Sequence, residues 1–285
     1  MRSEWYLICG EGLMVDSRGW MVGQKTVARS ISAEAAQMVR FSIAVSIALW
    51  SSVRRRRVHW QECVRQMWFL ANVTTVSAAL VMIPLGVAVA LQVGSLAGRI
   101  GAGSYSGAVV AFLIIGQAAP LVCALIIAGV GGSAICADLG ARTIREEIDA
   151  LEVLGIDVLE RLVVPRIIAA VIVTVLLNSI VMVVGIGACL LVHVYVQQGN
   201  AESFLRNLVT FSQSSDLAVA ALKAASFAVI SAVVASYKGL LTERGAQGVG
   251  NAVNEAVVMS FVLVFLANLA LSQFAATVLP DRGTY

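Results

Sequence analysis

Charged residues are scarce in this sequence: Asp, Glu, Lys and Arg together make up 13% of its 285 residues. A soluble domain of average composition carries about 25%. Hydrophobic residues make up 59% of the chain, and its net charge of +3 is too small to indicate nucleic-acid binding. These features exclude an ordinary soluble domain. They predict an all-α, polytopic membrane protein.

Several motifs that carry chemistry are also missing. The sequence has no G-x-x-x-x-G-K-[ST] motif, so this chain does not bind ATP through a P-loop. Its five cysteines are scattered singly, which supports neither a disulfide framework nor a zinc site. His59 lies in the basic loop and His193 near the end of the third apolar run, and each is expected to be an interface or packing residue rather than a base. We therefore expect a non-catalytic chain with no metal and no cofactor of its own.

Five runs with almost no charge are each long enough to cross the roughly 30 Å of hydrocarbon in a bilayer. They are residues 67–98, 105–137, 167–196, 217–237 and 256–279. Lys223 lies near one end of the fourth run, where its ammonium is expected to reach toward the membrane surface. Arg and Lys concentrate in the loops on one side of the spans. This bias predicts a multi-pass membrane protein with its N-terminus in the cytoplasm and its C-terminus outside.

The residues before the first run divide into a mixed stretch and an apolar one. Residues 31–52 are apolar but carry Glu34, Gln37 and Arg40 at helical spacing. Because charge is costly in lipid, this pattern favours an interfacial amphipathic helix, although the stretch is also long enough to be an extra span. The predicted domains are a loose tail (1–30), an interfacial helix with a basic anchor (31–57), a membrane domain (58–280) and a C-terminal tail (281–285).

The densest cluster of charge lies between Asp138 and Arg166, a segment with seven acids and four arginines. Such a segment is excluded from lipid, so we expect a loop outside the bilayer. Thr143 and Glu146 fit a capping box that begins a helix, and Gly155 fits the C′ position that ends one. Together these signals predict a helix of about three turns between two spans.

This helix has two interpretations, which the pattern alone leaves open. It is either a solvated connector that rests on the membrane surface or a docking helix that fits a groove in a soluble partner. Its apolar face would be formed by Ile144, Ile148 and Leu151. The candidate docking residues are Arg142, Ile144, Arg145, Glu146, Glu147, Ile148, Asp149, Leu151 and Glu152.

Within the spans, small and polar residues are the other candidates. The small cluster around Gly129 to Gly132 allows close helix packing. Glu255 is either an intramembrane functional carboxylate or one that faces water at the interface. So few polar groups argue against ion or sugar transport and suit a lipid-like ligand. The candidates for helix packing or a lipid cavity are Gln117, Gly129, Gly131, Gly132, Asn254 and Glu255.

The central block of the sequence resembles the MlaE/YrbE family, the permease subunits of ABC transporters that work with MCE-domain lipid-binding proteins. The likeness runs from about Trp68 to Pro280 and is most similar to the A-type YrbE subunits of actinobacterial mce operons. One departure is Gly116-Gln117-Ala118-Ala119-Pro120, where the family often has Arg-Glu-Leu-Gly-Pro. The residues that carry the resemblance are Pro120, Ala128-Gly129-Val130-Gly131-Gly132-Ser133-Ala134, Asp138-Leu139-Gly140, Ile144 to Asp157, and Val164-Pro165-Arg166.

The resemblance implies a set of partners and a function. The helix from Ile144 to Leu154 would be the coupling helix that seats in a groove of an ABC ATPase, and ATP and Mg would be bound by that ATPase. A second YrbE-like permease of the B type would complete a heterodimer, with MCE proteins on the outer face. The complex would move a fatty acid, sterol or phospholipid between the envelope and the cytoplasmic membrane. The alternative is a membrane scaffold that anchors an MCE assembly without moving substrate.

Overall fold

The computed structural model describes residues 36–52, 54, 60–99, 101, 105–243 and 245–278. Both predicted tails, 1–30 and 281–285, lie outside these residues. Two compact units divide the chain, Met1–Ala44 and Val45–Tyr285. The first helix, α1, covers residues 36–52. The structure does not decide whether residues 31–52 lie on the membrane or span it, so the interfacial interpretation stays a prediction.

Seven further helices follow in the described part of the chain. They are α2 (Trp60–Arg99), α3 (Ser106–Ile144), α4 (Glu147–Val153), α5 (Leu159–Tyr195), α6 (Ala201–Phe211), α7 (Ser214–Leu240) and α8 (Ala246–Val278). Five of them, α2, α3, α5, α7 and α8, are long and apolar enough to cross a membrane. No strand occurs among the described residues. The predicted all-α architecture with five spans is confirmed.

The core of the bundle lies around α3. α2 packs along α5, while α7 packs against α3, α5 and α8. Buried side chains of α2, α3 and α5, such as Met82, Ile114 and Leu177, form the main apolar cluster. The most apolar stretch of α3 is 61% buried, against 28% for α2 and 11% for α8. α2 and α8 therefore present the most apolar surface to lipid or to another subunit.

Among the described residues, three π-helical turns lie within or at the start of the long helices. Two lie in α3, at Ile114–Ala118 and Ile127–Gly131, and one begins α5 at Leu159–Val163. Such turns are frequent at functional sites. The first turn holds Gln117, and the second holds Gly129 and Gly131, so these candidates lie where the backbone of α3 departs from α-helical geometry.

The close crossing of α3 and α7 gives a first testable prediction. A Cβ atom at Gly239 would lie 2.9 Å from Leu139 Cβ and 3.0 Å from the Cys136 carbonyl oxygen, neither of which is a flexible side-chain end. Overpacking of this kind costs about 1–3 kcal/mol. We expect Gly239→Ala to lower the melting temperature of the purified protein in detergent.

A matched substitution controls for the change in helix propensity. No atom lies within 4 Å of a Cβ built at Gly187, which is also inside a span. Gly187→Ala should therefore leave the melting temperature unchanged or raise it, because Ala favours helix over Gly. Equal destabilisation by both substitutions would contradict the close crossing at Gly239.

Candidate functional site

The charged segment between α3 and α5 forms a loop that carries the short helix α4. We call residues 145–158 the docking loop, and the ends of the spans beside it the loop face. α4 has seven residues, Glu147–Val153, so the predicted length of about three turns is wrong. The chain breaks between α3 and α4 at Glu146, whose φ of 58° lies in the left-handed region. A residue in that conformation cannot continue a right-handed helix.

The predicted start of the helix is also wrong. Thr143 does not cap α4 but lies in the last turn of α3, which runs on to Ile144. Its hydroxyl donates to the Leu139 carbonyl oxygen at 3.0 Å and to that of Gly239 at 3.2 Å. The span therefore continues past the point where the polar sequence suggested a new helix, and Thr143 ties α3 to α7 instead.

The predicted end of the helix is confirmed. Gly155 has a φ of 70° and lies in the C′ position. Its amide donates to the Glu152 carbonyl oxygen at 2.9 Å, and the Ile156 amide donates to that of Leu151 at 3.0 Å. These two bonds form a Schellman motif, which satisfies carbonyls that the helix end would leave without partners.

This helix end projects apolar side chains outward. Val153 is 89% exposed, Leu154 71% and Ile156 40%. We call these three residues the apolar tip. They lie in a loop that is otherwise rich in charge, and exposed apolar clusters rimmed by polar residues are typical of protein interaction sites. None of the three belonged to the predicted docking set.

Some of the predicted docking residues contact the rest of the bundle, and others are exposed on the surface of the docking loop. Ile148 is buried against the bundle and Leu151 half-buried, while Ile144 lies on α3. Arg145 and Glu147 form an ion pair at 3.1 Å between largely exposed side chains. The members that face outward are Arg145, Glu146, Asp149 and Glu152.

A buried charge cluster lies where the docking loop joins the bundle. The Arg166 side chain, in α5, is fully buried and pairs with the Asp138 carboxylate of α3. Arg166 Nη1 also donates to the Leu162 carbonyl oxygen at 2.6 Å. Arg142 Nε approaches the second oxygen of Asp138 at 3.5 Å. This cluster joins the two spans that flank the docking loop.

Further polar contacts tie the loop face together. Lys238 of α7 pairs with Glu255 of α8 at 2.8 Å. The Ser52 hydroxyl, at the end of α1, donates to Glu160 at 2.9 Å, just past the docking loop. Together with the Thr143 contact and the Asp138–Arg166 pair, these bonds connect the ends of α1, α3, α5, α7 and α8.

The predicted small-residue cluster lies at helix contacts. A Cβ at Gly129 would lie 3.3 Å from Phe261 Cζ of α8, and one at Gly132 would lie 3.9 Å from Ala235 Cβ of α7. A Cβ at Gly131 would meet Ile127 of the same helix at 2.6 Å and Leu70 Cδ2 of α2 at 3.8 Å. Each of these glycines therefore lies where α3 faces another helix, although the closest approach at Gly131 is within α3.

The side chain of Lys223 lies in the interior of the bundle, although the sequence analysis expected it to reach the membrane surface. Lys223 is 4% exposed, and its ammonium donates to the Gly116 carbonyl oxygen at 3.3 Å and to Ser272 Oγ at 3.0 Å. The expectation that this side chain reaches toward the membrane surface is wrong. Instead it binds the π-helical turn that contains Gln117. The sequence did mark Lys223 as a candidate, because an ionisable residue inside a membrane span is a functional hypothesis by default.

The two candidates in α8 lie on its outer surface. Asn254 and Glu255 are both exposed, and Glu255 makes the contact with Lys238 described above. The structure therefore does not gather the six cavity candidates in one place. Gln117 and the glycines belong to α3, whereas Asn254 and Glu255 face away from it on the least buried span.

Comparison with known proteins agrees with this architecture. The model of a protein family described as "Permease MlaE" matches residues 63–274, which include all five spans over most of their length. The match covers well over half of the chain. It includes the docking loop, the buried charge cluster and the glycine-rich turn of α3.

Individual relatives cover most of the chain as well. A protein of Rickettsia bellii named probable ABC transporter permease protein is 29% identical over 88% of this chain and 95% of its own length. A protein of Synechocystis with the same description is 34% identical over 60% of this chain and 65% of its own length. The chloroplastic protein TRIGALACTOSYLDIACYLGLYCEROL 1 of Arabidopsis thaliana is 28% identical over 78% of this chain and 63% of its own length.

Proposed function

Since this chain belongs to the MlaE permease family, we propose that it is the membrane-spanning subunit of an ABC transporter that moves a lipid. A separate ATPase binds and hydrolyses ATP with Mg, and this chain converts the movement of that ATPase into movement of its spans. The docking loop carries this proposal, because it presents an apolar tip on a charged loop directly above the buried cluster that joins α3 and α5.

The apolar tip supports docking rather than solvation. A solvated connector would turn its apolar residues toward the bundle, as Ile148 does. Val153 and Leu154 do the opposite, since both side chains are exposed at the end of α4. Apolar side chains that enter a pocket, surrounded by charged groups, are the usual centre of a protein interface. Asp149 and Glu152 supply acidic groups around the tip, which suit a basic rim on the ATPase.

The apolar character of the bundle supports a lipid as substrate. Few polar side chains lie at membrane depth, so the bundle offers little to replace the hydration shell of an ion or a sugar. The name of the Arabidopsis relative is that of a diacylglycerol lipid, which agrees with a fatty acid, sterol or phospholipid as cargo. The Arg and Lys bias of the loops supports an arrangement with the docking loop and the N-terminus in the cytoplasm and the C-terminus outside.

A second permease and MCE proteins complete the proposed complex. The surface of α8 supports a second permease as partner. Only 11% of its most apolar stretch is buried within this chain, and Phe265 and Leu269 are exposed on it. The B-type partner and the MCE assembly on the outer face follow from the family resemblance. The alternative, a scaffold that anchors an MCE assembly without moving lipid, would need the ATPase neither to bind nor to drive this chain.

Reversal of charge on the docking loop tests the proposal. We expect Glu146→Lys combined with Glu147→Lys to lower co-purification of the ATPase strongly while membrane insertion stays intact. The double change alters the charge of an exposed surface by four units and breaks the pair with Arg145. Like-charge contacts across an interface cost several kcal/mol. Glu202→Lys, on α6 at the opposite face, is the control and should leave co-purification unchanged. Full ATPase recovery with the double variant would contradict docking through this loop.

A further inference from the structure

An apolar groove opens between α2 and α3 on the side of the bundle opposite the docking loop. Its volume is about 450 Å³. Because α2 ends and α3 begins there, the groove lies beneath the surface of the membrane leaflet away from the loop. Its lining residues are Val89, Gln92, Val93, Leu96, Ala97, Tyr105, Val109 and Leu113.

The dimensions of the groove match one leaflet. The lining residues extend over nine positions on each side, from Val89 to Ala97 and from Tyr105 to Leu113, and these eight steps of 1.5 Å amount to about 12 Å. One leaflet contributes about half of the roughly 30 Å of hydrocarbon. The groove is thus long enough to hold much of one extended lipid chain along the helix axes.

Two polar groups interrupt the aliphatic lining. The side-chain amide of Gln92 and the hydroxyl of Tyr105 have no hydrogen-bond partner among the residues that the structure describes, and both side chains are exposed. Gln92 lies about 10 Å along the helix from Arg99, at the end of α2. An amide at hydrocarbon depth without a partner is unfavourable, because it gives up its hydrogen bonds to water. A ligand that brings a carbonyl oxygen to this depth would remove that cost.

The wall of the groove that α3 forms packs on its other side against α6. The side chain of Phe204 is buried, and a Cβ at Gly107 would lie only 2.3 Å from the Phe204 carbonyl oxygen. Gly107 therefore lets the α6 backbone lie directly against α3. Groove residue Val109 is exposed on another part of the same helix, and Tyr105 directly precedes that helix. The contact with α6 thus positions the outer end of α3 without covering the groove.

We propose that the groove binds a single acyl chain of a membrane lipid, with the ester or carboxyl carbonyl accepting a hydrogen bond from the Gln92 amide. A largely aliphatic lining with a few placed polar groups is typical of small-molecule sites of 300–1,000 Å³. The bottom of the groove, at Leu113, adjoins the π-helical turn that Lys223 binds. The proposal rests on the proposed function in taking the bound lipid for a substrate; binding itself requires only that the spans lie in a bilayer.

Photolabelling of the full chain in nanodiscs tests the groove. Two probes are used, a palmitic acid and a phosphatidylglycerol, each with a diazirine on the acyl chain, and labelled peptides are identified by mass spectrometry. We expect labelling to concentrate on residues 89–97 and 105–113. Competition by unlabelled palmitate or by unlabelled phosphatidylglycerol shows whether the carbonyl is that of a free acid or of an ester.

Matched variants separate the groove from the general lipid-facing surface. Leu96 lines the groove, whereas Leu91 is an exposed leucine of the same helix outside it. Leu96→Trp should lower groove labelling by at least about tenfold, since displacing two methylenes at about 0.8 kcal/mol each has that effect. Leu91→Trp should leave it unchanged. Gln92→Leu should weaken saturable labelling about threefold to tenfold, the effect of one lost neutral hydrogen bond.

Several results would overturn the proposal that the groove binds an acyl chain. Equal labelling on all lipid-facing surfaces, or equal effects of Leu96→Trp and Leu91→Trp, would mean that the groove holds only bulk lipid. Competition by cholesterol but by neither acyl lipid would replace the acyl chain with a sterol. The photolabelling result does not depend on the ATPase, because the nanodiscs contain neither nucleotide nor a partner protein. A labelled groove in a chain that binds no ATPase would refute the transporter and keep the lipid site.

Discussion

Asp138→Leu is expected to lower the free energy of unfolding by about 3–5 kcal/mol, because it leaves the fully buried Arg166 without its counter-charge. Arg166 Nε already has no hydrogen-bond partner among the described residues, and Arg142 adds a second positive charge beside the cluster. Chemical denaturation of the purified protein in detergent micelles measures the change. The amount of folded protein in membranes should fall as well, since a loss of this size is a large fraction of typical protein stability.

Removal of both charges provides the matched test. In Asp138→Leu combined with Arg166→Met, no charge is left buried, and replacement of a buried ion pair by apolar residues of similar size is often neutral or stabilising. The double variant should therefore recover most of the lost stability. If the double variant is as unstable as Asp138→Leu alone, the loss comes from packing around Asp138 rather than from the unpaired arginine.

Val153→Asp combined with Leu154→Asp should abolish ATPase binding while the protein stays folded. Both side chains are almost fully exposed, so the change removes few contacts within this chain. If the tip enters a pocket of the ATPase, each position behaves as an interface hot spot worth about 2 kcal/mol or more, and an added buried charge increases the loss. The expected weakening is at least about 100-fold. Titration of the purified ATPase against nanodiscs that contain the chain measures it.

Two control variants distinguish the loss of the apolar tip from a general effect of adding acidic side chains. Val209→Asp, an exposed residue of α6 on the opposite face, should bind the ATPase like the unaltered chain. Val153→Leu together with Leu154→Met keeps the tip apolar and should bind within a few-fold. Loss of binding in the Val209 variant, or normal binding in the double aspartate variant, would show that the apolar tip is not the contact.

The spans could be predicted from the sequence because hydropathy alone determines them. Each long apolar run became one helix that is able to cross a membrane. The end of α4 could be predicted too, since Gly155 occupies a left-handed position that disfavours other residues. The start of α4 could not, because Thr143 fits both a capping box and the last turn of a longer helix. The contact of its hydroxyl with Gly239 is tertiary and leaves no local trace.

The functional side chains were harder to predict, because their contacts are also tertiary and leave no trace in the local sequence. Helical spacing identified which residues of the docking loop are apolar, but the exposure of Val153 and Leu154 depends on how α4 lies against the bundle. The pairing of Asp138 with Arg166 joins residues that are 28 positions apart and depends on how α3 and α5 meet. Lys223 likewise reaches the turn at Gly116 from another helix.

Affinity purification from native membranes in mild detergent, followed by mass spectrometry of proteins and lipids, tests whether this ABC permease receives its ATPase on the docking loop. We expect an ABC ATPase, a second permease of the same family, MCE proteins and an acyl lipid to purify with the unaltered chain. From the Val153→Asp/Leu154→Asp variant we expect the ATPase alone to be lost. Recovery of the unaltered chain without any ATPase, or recovery of the ATPase with the variant, would show that the docking loop does not bind an ATPase.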